Sequence, residues 1–117
     1  MKTSSLLLCG VLTHHGLPQE GKKLIAHIPR QYRHRVLTVL GNHDYAGDQA
    51  DVLIELLENA GVCVLDGDHT TIDGVGFAGI AGFAGGFGER GVYPFGEPEL
   101  REFINVTVQQ SLRLETA

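Results

Sequence analysis

Apolar residues in the first half of the chain alternate between short continuous runs and helix-type spacing. Continuous runs occupy residues 5–10, 36–40 and 62–65. Such runs are typical of parallel strands that are covered on both faces. The segments between them predict two amphipathic helices, because their apolar residues recur at intervals of three and four. The predicted apolar faces comprise Leu17, Leu24, Ile25 and Ile28 in the first helix, and Val52, Leu53, Leu56, Leu57 and Ala60 in the second.

A few residues with special backbone preferences set the predicted helix boundaries. Pro18 suits the first turn of the first helix, and Pro29 ends that helix. Asp48 is the predicted N-cap of the second helix, and Gly61 suits the position just after its last turn. The first half of the chain is therefore predicted to run strand, helix, strand, helix, strand.

The second half of the chain is richer in glycine and carries a different pattern. Residues 66–68 predict a turn, and the Asp-Gly pair at 73–74 predicts the tight turn of a hairpin between residues 70–72 and 75–80. Residues 74–91 contain eight glycines and predict a loop. A loop of this kind connects elements without contributing much to a core.

A last helix is predicted from Pro98 almost to Ala117. Since no capping residue ends it, we expect the chain to be cut within that helix. Its predicted apolar face comprises Leu100, Phe103, Ile104, Thr107, Ser111 and Leu112. The pattern contains no internal repeat and no linker, which predicts one α/β domain over residues 1–117.

The order of the first elements predicts where a ligand would bind. Two strands joined by a helical crossover of this length are typically parallel neighbours. The segments that follow them, residues 10–16 and 41–45, then leave the sheet at the same edge. That carboxyl edge is where open α/β sheets bind ligands. Both segments are polar and rich in histidine, so they predict a site.

The turn after the second strand carries residues suited to metal and phosphate chemistry. Gly41 permits a sharp turn, and Asn42 offers a neutral oxygen ligand to a divalent cation. His43 can donate to a phosphate oxygen or to a leaving group, and Asp44 can accept from the other ring nitrogen and fix the tautomer. An ordinary polar turn is the alternative interpretation.

Together, residues 8–16 and the Gly-Asn-His-Asp turn resemble the second and third motifs of calcineurin-like metallophosphoesterases. That family has a Gly-Asp motif and, one crossover later, a Gly-Asn-His-Asp or Gly-Asn-His-Glu motif. Residues 85–88 and residues 95–98, which precede the last helix, are also similar to a bacterial branch of the family. The resemblance covers nearly all 117 residues.

The resemblance implies a hydrolase of small phosphate mono- or diesters with two divalent metal ions, Mn²⁺, Fe or Zn²⁺. By position, Asn42 resembles a ligand of the second metal. His43 resembles the histidine that contacts phosphate or assists the leaving group, and Asp44 resembles its orienting partner. The implied fold is part of a four-layer α/β/β/α sandwich.

The chain also departs from the family pattern. Val11 occupies the position of the carboxylate that bridges the two metals, and valine has no lone pair to offer. The family's first Asp-x-His motif and its later Gly-His-x-His motif are absent, and His69 is predicted to be a surface turn residue. We therefore expect a truncated and inactive phosphoesterase chain. The alternative is a degenerate, non-catalytic remnant that acts as a binding or scaffold module.

The remaining histidines and basic residues add little to the predicted chemistry. The resemblance implies that His14 and His15 line the mouth of the site, where the family often has polar residues. Either one is an alternative metal ligand, but adjacent side chains often diverge, so the two are not expected to bind one metal together. His27 and His34 are predicted on the surface. The net charge of -5 disfavours a nucleic-acid partner. The basic cluster at residues 30–35 is accordingly predicted to be a solvated helix end.

Two further patterns in the sequence bear on function. Residues 74–79 fit the G-x-G-x-x-G pattern of a nucleotide site, but no helix follows them, which favours a glycine-rich loop or hairpin and no nucleotide binding. Cys9 and Cys63 lie in apolar runs and are predicted to be reduced core thiols of a cytoplasmic protein. No run has the length of a membrane span. Exposed sheet edges predict marginal stability or self-association.

Overall fold

The computed structural model describes residues 4–82 and 88–117 and forms a mixed α/β domain, as predicted. The strands are β1 (Leu6–Cys9), β2 (Val36–Val39), β3 (Cys63–Val64), β4 (Asp68–Ile72) and β5 (Val75–Gly79). The helices are α1 (Pro18–His27), α2 (Asn42–Tyr45), α3 (Ala50–Asn59) and α4 (Pro98–Thr116), with 3₁₀ helices at Arg30–Arg35 and Gly88–Arg90.

The first three strands form a parallel sheet in the order β1-β2-β3. Leu6 pairs with Val36, and Leu37 pairs with Cys63. The predicted parallel pairing of the first two strands is therefore confirmed. The segments that follow β1 and β2 leave the sheet at the same edge.

Helices α1 and α3 pack against each other and against β2 and β3. The buried cluster combines Ile28, Leu53 and Leu57 with Val36 and Val64 of the sheet. Because side chains alternate between the faces of a strand, Val36 faces the helices whereas its neighbour Leu37 does not. This core confirms Leu24, Ile25 and Ile28 of the first predicted face, and Leu53 and Leu57 of the second. Leu17 and Val52 were also predicted on these faces, but they are 38% and 44% exposed.

The opposite face of the sheet lies against the antiparallel hairpin β4-β5. A Cβ atom on Gly79 would lie 2.7 Å from Cγ1 of Val39 and 3.0 Å from Cβ of Leu65, so only glycine permits this approach. Asp73 and Gly74 have φ angles of 52° and 79°, which is the predicted tight turn. The second strand of the hairpin, predicted at residues 75–80, is observed as β5 and lies within the stretch 74–91 that was also predicted to be a loop.

Strand β1 differs from the prediction of a strand covered on both faces. Leu6 and Leu7 are 47% and 53% exposed, and Cys9 is exposed as well. The physical reason is position, since β1 lies at the edge of the sheet and the core cluster centres on β2 and β3. The prediction that Cys9 is a core thiol is therefore wrong, whereas Cys63 is half-buried and its burial raises the pKa of the thiol.

Two local predictions are also wrong. Asp48 does not cap α3: its φ angle is 51°, and Gln49 precedes the first helical residue. His69 is exposed as predicted, but it lies in β4 and not in a turn. By contrast, Gly61 follows α3 with a φ angle of 94°, as predicted for the residue after a helix.

Helix α4 begins at Pro98 as predicted and contains no fully buried residue. Arg113 attaches it to the rest of the domain by bonds to the backbone carbonyl and the carboxylate of Asp66. Within residues 4–82 and 88–117, no helix has the length and apolar character needed to cross a membrane.

Candidate functional site

Two loops meet backbone to backbone at the carboxyl edge of β1 and β2. A Cβ atom on Gly10 would lie 3.1 Å from Cα of Gly41. At the far end of the loops, a Cβ atom on Gly16 would lie 2.7 Å from the nitrogen of Gly47. Gly10 and Gly16 also have positive φ angles, 86° and 68°, which glycine adopts without steric strain. The glycines thus hold the two loops together at both ends.

The carboxylate of Asp44 joins the loops between these glycine contacts. Its Oδ1 accepts hydrogen bonds from the backbone N–H (2.8 Å) and the hydroxyl (2.7 Å) of Thr13. Its Oδ2 accepts from the N–H groups of Leu12 (3.1 Å) and Gly41 (2.8 Å). Asp44 is completely buried, so these four bonds replace its hydration. Asp44 therefore determines how the residues after β1 face those after β2.

The structure does not place Asp44 against the ring of His43, as the expected orienting role requires. Instead, Nδ1 of His43 lies 3.0 Å from the backbone carbonyl oxygen of His14. A carbonyl oxygen only accepts, so Nδ1 carries the hydrogen and the neutral ring keeps a lone pair on Nε2. The tautomer of His43 is thus fixed by a backbone carbonyl because the carboxylate of Asp44 is occupied elsewhere.

Val11 lies beside the Gly-Asn-His-Asp turn, where the resemblance expects a bridging carboxylate. Its Cγ2 would lie 3.0 Å from a Cβ atom on Gly41. The φ angle of Val11 is 52°, a left-handed conformation that is unusual for a β-branched residue and is better tolerated by Asn and Asp. Val11 is 56% exposed, so packing gives no reason for an apolar side chain here.

A cavity of about 430 Å³ opens in front of this turn. Val11, Asn42 and Tyr45 contribute to one side, and Phe103 and Val106 of α4 contribute to the other. Burial raises the pKa of the Tyr45 hydroxyl, with Asp66 as the next contributor, so the hydroxyl remains protonated at neutral pH. The cavity therefore offers the amide of Asn42, the phenol of Tyr45 and the thiol of Cys9 among mainly apolar groups.

The residues present do not fit the two-metal centre that the resemblance implies. Asn42 is exposed and borders the cavity, but Val11 cannot bridge two cations. In the described parts of the chain, no group of three or more His, Cys, Asp and Glu residues could hold a metal ion. The described residues therefore do not support catalysis by a pair of metal ions.

His14 and His15 are exposed, and His14 lies beside His43, but neither lines the cavity. Their backbone N–H groups donate to the carboxylate of Glu20, each at 3.0 Å, and the N–H of Leu17 donates to it at 3.1 Å. These bonds, that from Leu17 foremost, hold the pKa of Glu20 below its ordinary value. The ring centroid of His14 lies 4.3 Å from that of His15 and 5.5 Å from that of His43.

Sequence reasoning missed several residues that shape the site. Thr13 is buried, and besides its bonds to Asp44 its hydroxyl accepts from the N–H of Gly16 at 3.0 Å. No local pattern marks this role, because its main partner is 31 residues away. Glu20 could have been found, since a Glu at the third helical position commonly binds the backbone at the start of a helix.

The other sequence candidates lie outside this cluster. His27 and His34 are exposed, as predicted. The basic cluster is not merely solvated: Arg33 donates to the carbonyl oxygens of Ile25 and Ile28, and Arg35 forms an ion pair with the hairpin turn. Of the similar segments after the hairpin, residues 85–87 lie outside the described residues.

Comparisons of the chain with protein-family models, with curated proteins and with solved structures found no match. The geometry of the two loops therefore carries the functional argument on its own.

Proposed function

We propose that this chain is a catalytically impaired member of the calcineurin-like, metal-dependent phosphoesterase lineage. The observation that carries the proposal is the Asp44 carboxylate, which binds residues of both loops and brings Val11 beside Gly41 and Asn42 at the carboxyl edge of β1 and β2. Open parallel sheets bind their ligands at this edge. The helices, the three-stranded sheet and the hairpin would be part of the four-layer sandwich of that lineage.

The ligand in this proposal is a small phosphate mono- or diester. Asn42 would contribute one oxygen to a divalent ion such as Mn²⁺, Fe or Zn²⁺. His43 would donate from Nε2 to a phosphate or leaving-group oxygen when its ring is doubly protonated, since Nδ1 is engaged by the His14 carbonyl. Asp44 would act by positioning both loops rather than by touching the substrate.

The impairment follows from the residue at position 11. Two dications held about 3.5–4 Å apart repel each other, and an anion between them offsets that repulsion. Val11 supplies no charge and no lone pair, so a metal pair beside Asn42 is disfavoured. Its left-handed backbone is one that Asp adopts more readily than valine. The backbone conformation at position 11 therefore suits an aspartate better than the valine that is present.

The second candidate function is a non-catalytic remnant that acts as a binding or scaffold module. Exposed apolar side chains favour it. On α4 these are Phe103, Val106, Val108, Leu112 and Leu114, between 41% and 51% exposed. In an aryl phosphate assay, weak Mn²⁺-dependent turnover above background would favour the impaired enzyme, and no turnover would favour the binding module. We expect turnover far below the roughly 1–10³ s⁻¹ of ordinary enzymes, and turnover within that range would contradict the impairment.

The lineage itself is tested by comparing Val11→Asp with Val11→Asn. Both residues tolerate the left-handed backbone, so both variants should be more stable than the wild type by about 1 kcal/mol. Only Val11→Asp adds a charge next to Asn42, so only its melting temperature should rise with Mn²⁺. We expect no recovery of turnover, because one carboxylate does not complete a metal pair.

Asparagine is the matched control, since it has nearly the shape of aspartate without its charge. If Mn²⁺ leaves Val11→Asp unaffected, or stabilises Val11→Asn equally, the proposed metal-and-phosphate origin of the site loses its support. Differential scanning fluorimetry in the presence and absence of Mn²⁺ measures this directly.

A further inference from the structure

His14 and His43 form a pair of imidazoles that the phosphoesterase resemblance leaves without a metal-binding role. Their ring centroids lie 5.5 Å apart with 39° between the ring planes. His14 is exposed, and His43 is half-buried in the Gly-Asn-His-Asp turn. What the two rings could do together depends on their tautomers, their spacing and the rigidity of their backbones.

The tautomer of His43 is the one that binds a metal. Its Nδ1–H donates to the His14 carbonyl oxygen at 3.0 Å, which leaves the Nε2 lone pair available. Histidines that bind metals typically donate their other ring N–H to a carboxylate or a backbone carbonyl in this way. The bond fixes the orientation of the ring and the nitrogen that carries the hydrogen.

The spacing of the rings also fits one shared cation. With a metal–nitrogen bond of about 2.0–2.1 Å and tetrahedral angles, the centroids of two imidazoles on one ion lie roughly 5.2 Å apart. The observed centroid separation of 5.5 Å is close to this value. His15 packs edge-on against His14 at 4.3 Å, which limits the movement of the His14 ring.

The backbone at position 14 is fixed from both sides. The N–H of His14 donates to the Glu20 carboxylate at 3.0 Å, and its carbonyl accepts from His43. Asp44 holds the neighbouring residues of both loops through its four hydrogen bonds. The two imidazoles are therefore carried by loops that the fold already holds together.

We propose that His14 and His43 bind one borderline divalent cation, Zn²⁺, Ni²⁺ or Cu²⁺, through a ring nitrogen of each. These are the ions that imidazole ligands favour, whereas Mg²⁺ and Ca²⁺ prefer oxygen. Water completes the coordination, since the described residues provide no group of three His, Cys, Asp and Glu ligands. The site holds a single ion, so it does not reconstitute a two-metal centre.

Zinc titration of the tag-free chain by isothermal calorimetry tests this site. We expect the wild type to bind one Zn²⁺ per chain and to show no heat with Mg²⁺. His14→Ala and His43→Ala should each weaken Zn²⁺ binding by at least about tenfold, which is a loss of about 1.4 kcal/mol. His14→Ala keeps the carbonyl that orients His43, so it removes one ligand and leaves the other in place.

His27→Ala is the matched control. The Nδ1 of His27 also lies against a backbone carbonyl, that of Lys23 at 2.7 Å, but His27 is remote from the pair. Zn²⁺ binding should be unchanged in this variant. Absence of Zn²⁺ binding by the wild type, retention of full affinity by His14→Ala, or an equal loss in His27→Ala would each overturn the proposal.

Two features of the zinc titration make its outcome unambiguous. His14 is exposed, so His14→Ala should unfold at the wild-type temperature and tests the site even if His43→Ala lowers the stability of the fold. The experiment uses neither Val11 nor Mn²⁺, so its failure leaves the proposed phosphoesterase origin intact, and failure of the Val11 experiment leaves the histidine pair intact.

Discussion

At the scale of single residues, Asp44 shows how a motif residue can stabilise a fold. A buried carboxylate is expensive unless its charge is met by a cation or by several donors. Among residues 4–82 and 88–117, Asp44 forms no ion pair. Its carboxylate instead accepts four hydrogen bonds, from the N–H groups of Leu12, Thr13 and Gly41 and from the Thr13 hydroxyl. Asp44 thus contributes to the site through the backbone of the facing loop.

The first prediction concerns this carboxylate. Asp44→Asn should lower the free energy of unfolding by about 3 kcal/mol or more, because the new NH₂ group faces N–H donors that lose their acceptor inside the protein. Asp48→Asn is the matched control, since Asp48 is exposed and its φ angle of 51° suits asparagine. The control should stay within about 0.5 kcal/mol of the wild type. Urea unfolding measures both, and equal stabilities for the two variants would refute this role of Asp44.

The residue types of the turn were readable from the sequence, whereas their contacts were not. The Gly-Asn-His-Asp order and the position of Val11 are local facts. Apart from Gly41, the partners of the Asp44 carboxylate and of the His43 ring are 29 to 32 residues away, across a crossover whose geometry only the folded chain determines. For this reason, the prediction that Asp44 contacts the ring of His43 was wrong.

At the scale of elements, the start of α1 is held by Glu20. Its carboxylate accepts from the backbone of His14, His15 and Leu17, which links the helix to the loop that carries the histidines. The bonds favour the ionised form, so the pKa of Glu20 is lowered in the folded chain. The same carboxylate therefore stabilises the helix and fixes the loop at the mouth of the site.

A pH dependence follows from that lowered pKa. The stabilisation by Glu20 is fully present above the ordinary glutamate pKa of about 4.3 and is lost as pH falls through the lower pKa of the folded chain. Glu20→Gln should therefore be less stable than the wild type at pH 7, and the difference should shrink in acid. Glu55→Gln, at an exposed position of α3, is the control. Unfolding measured across this pH range would contradict the prediction if the Glu20→Gln difference stayed constant.

Elements with strong local signals were predicted well. The hairpin followed from the Asp-Gly pair at 73–74, and the parallel order of β1 and β2 followed from the crossover between them. Asp48 misled because a side chain suited to capping also suits the left-handed backbone that it adopts. The exposure of β1 was not predictable from its apolar run, since burial of a strand depends on what covers it.

At the scale of the whole molecule, the described part of the chain covers the edge strand β1 less well than strands β2 and β3. The core lies between the helices and strands β2 and β3, whereas Leu6 and Leu7 of the edge strand β1 remain about half exposed. An apolar edge strand without a charge, a proline or a bulge offers backbone groups to another strand. We therefore expect the chain to self-associate through β1 or to be only marginally stable.

Leu6→Lys tests this expectation, because a lysine on an edge strand disfavours pairing with a second strand. The wild type should show concentration-dependent association by sedimentation velocity, and Leu6→Lys should shift that equilibrium towards the monomer. Val52→Lys is the matched control, since Val52 is 44% exposed, close to the 47% of Leu6, but lies on α3 away from the sheet edge. If the wild type were a monomer with a sharp, reversible unfolding transition, or if Val52→Lys reduced association equally, association through β1 would be ruled out.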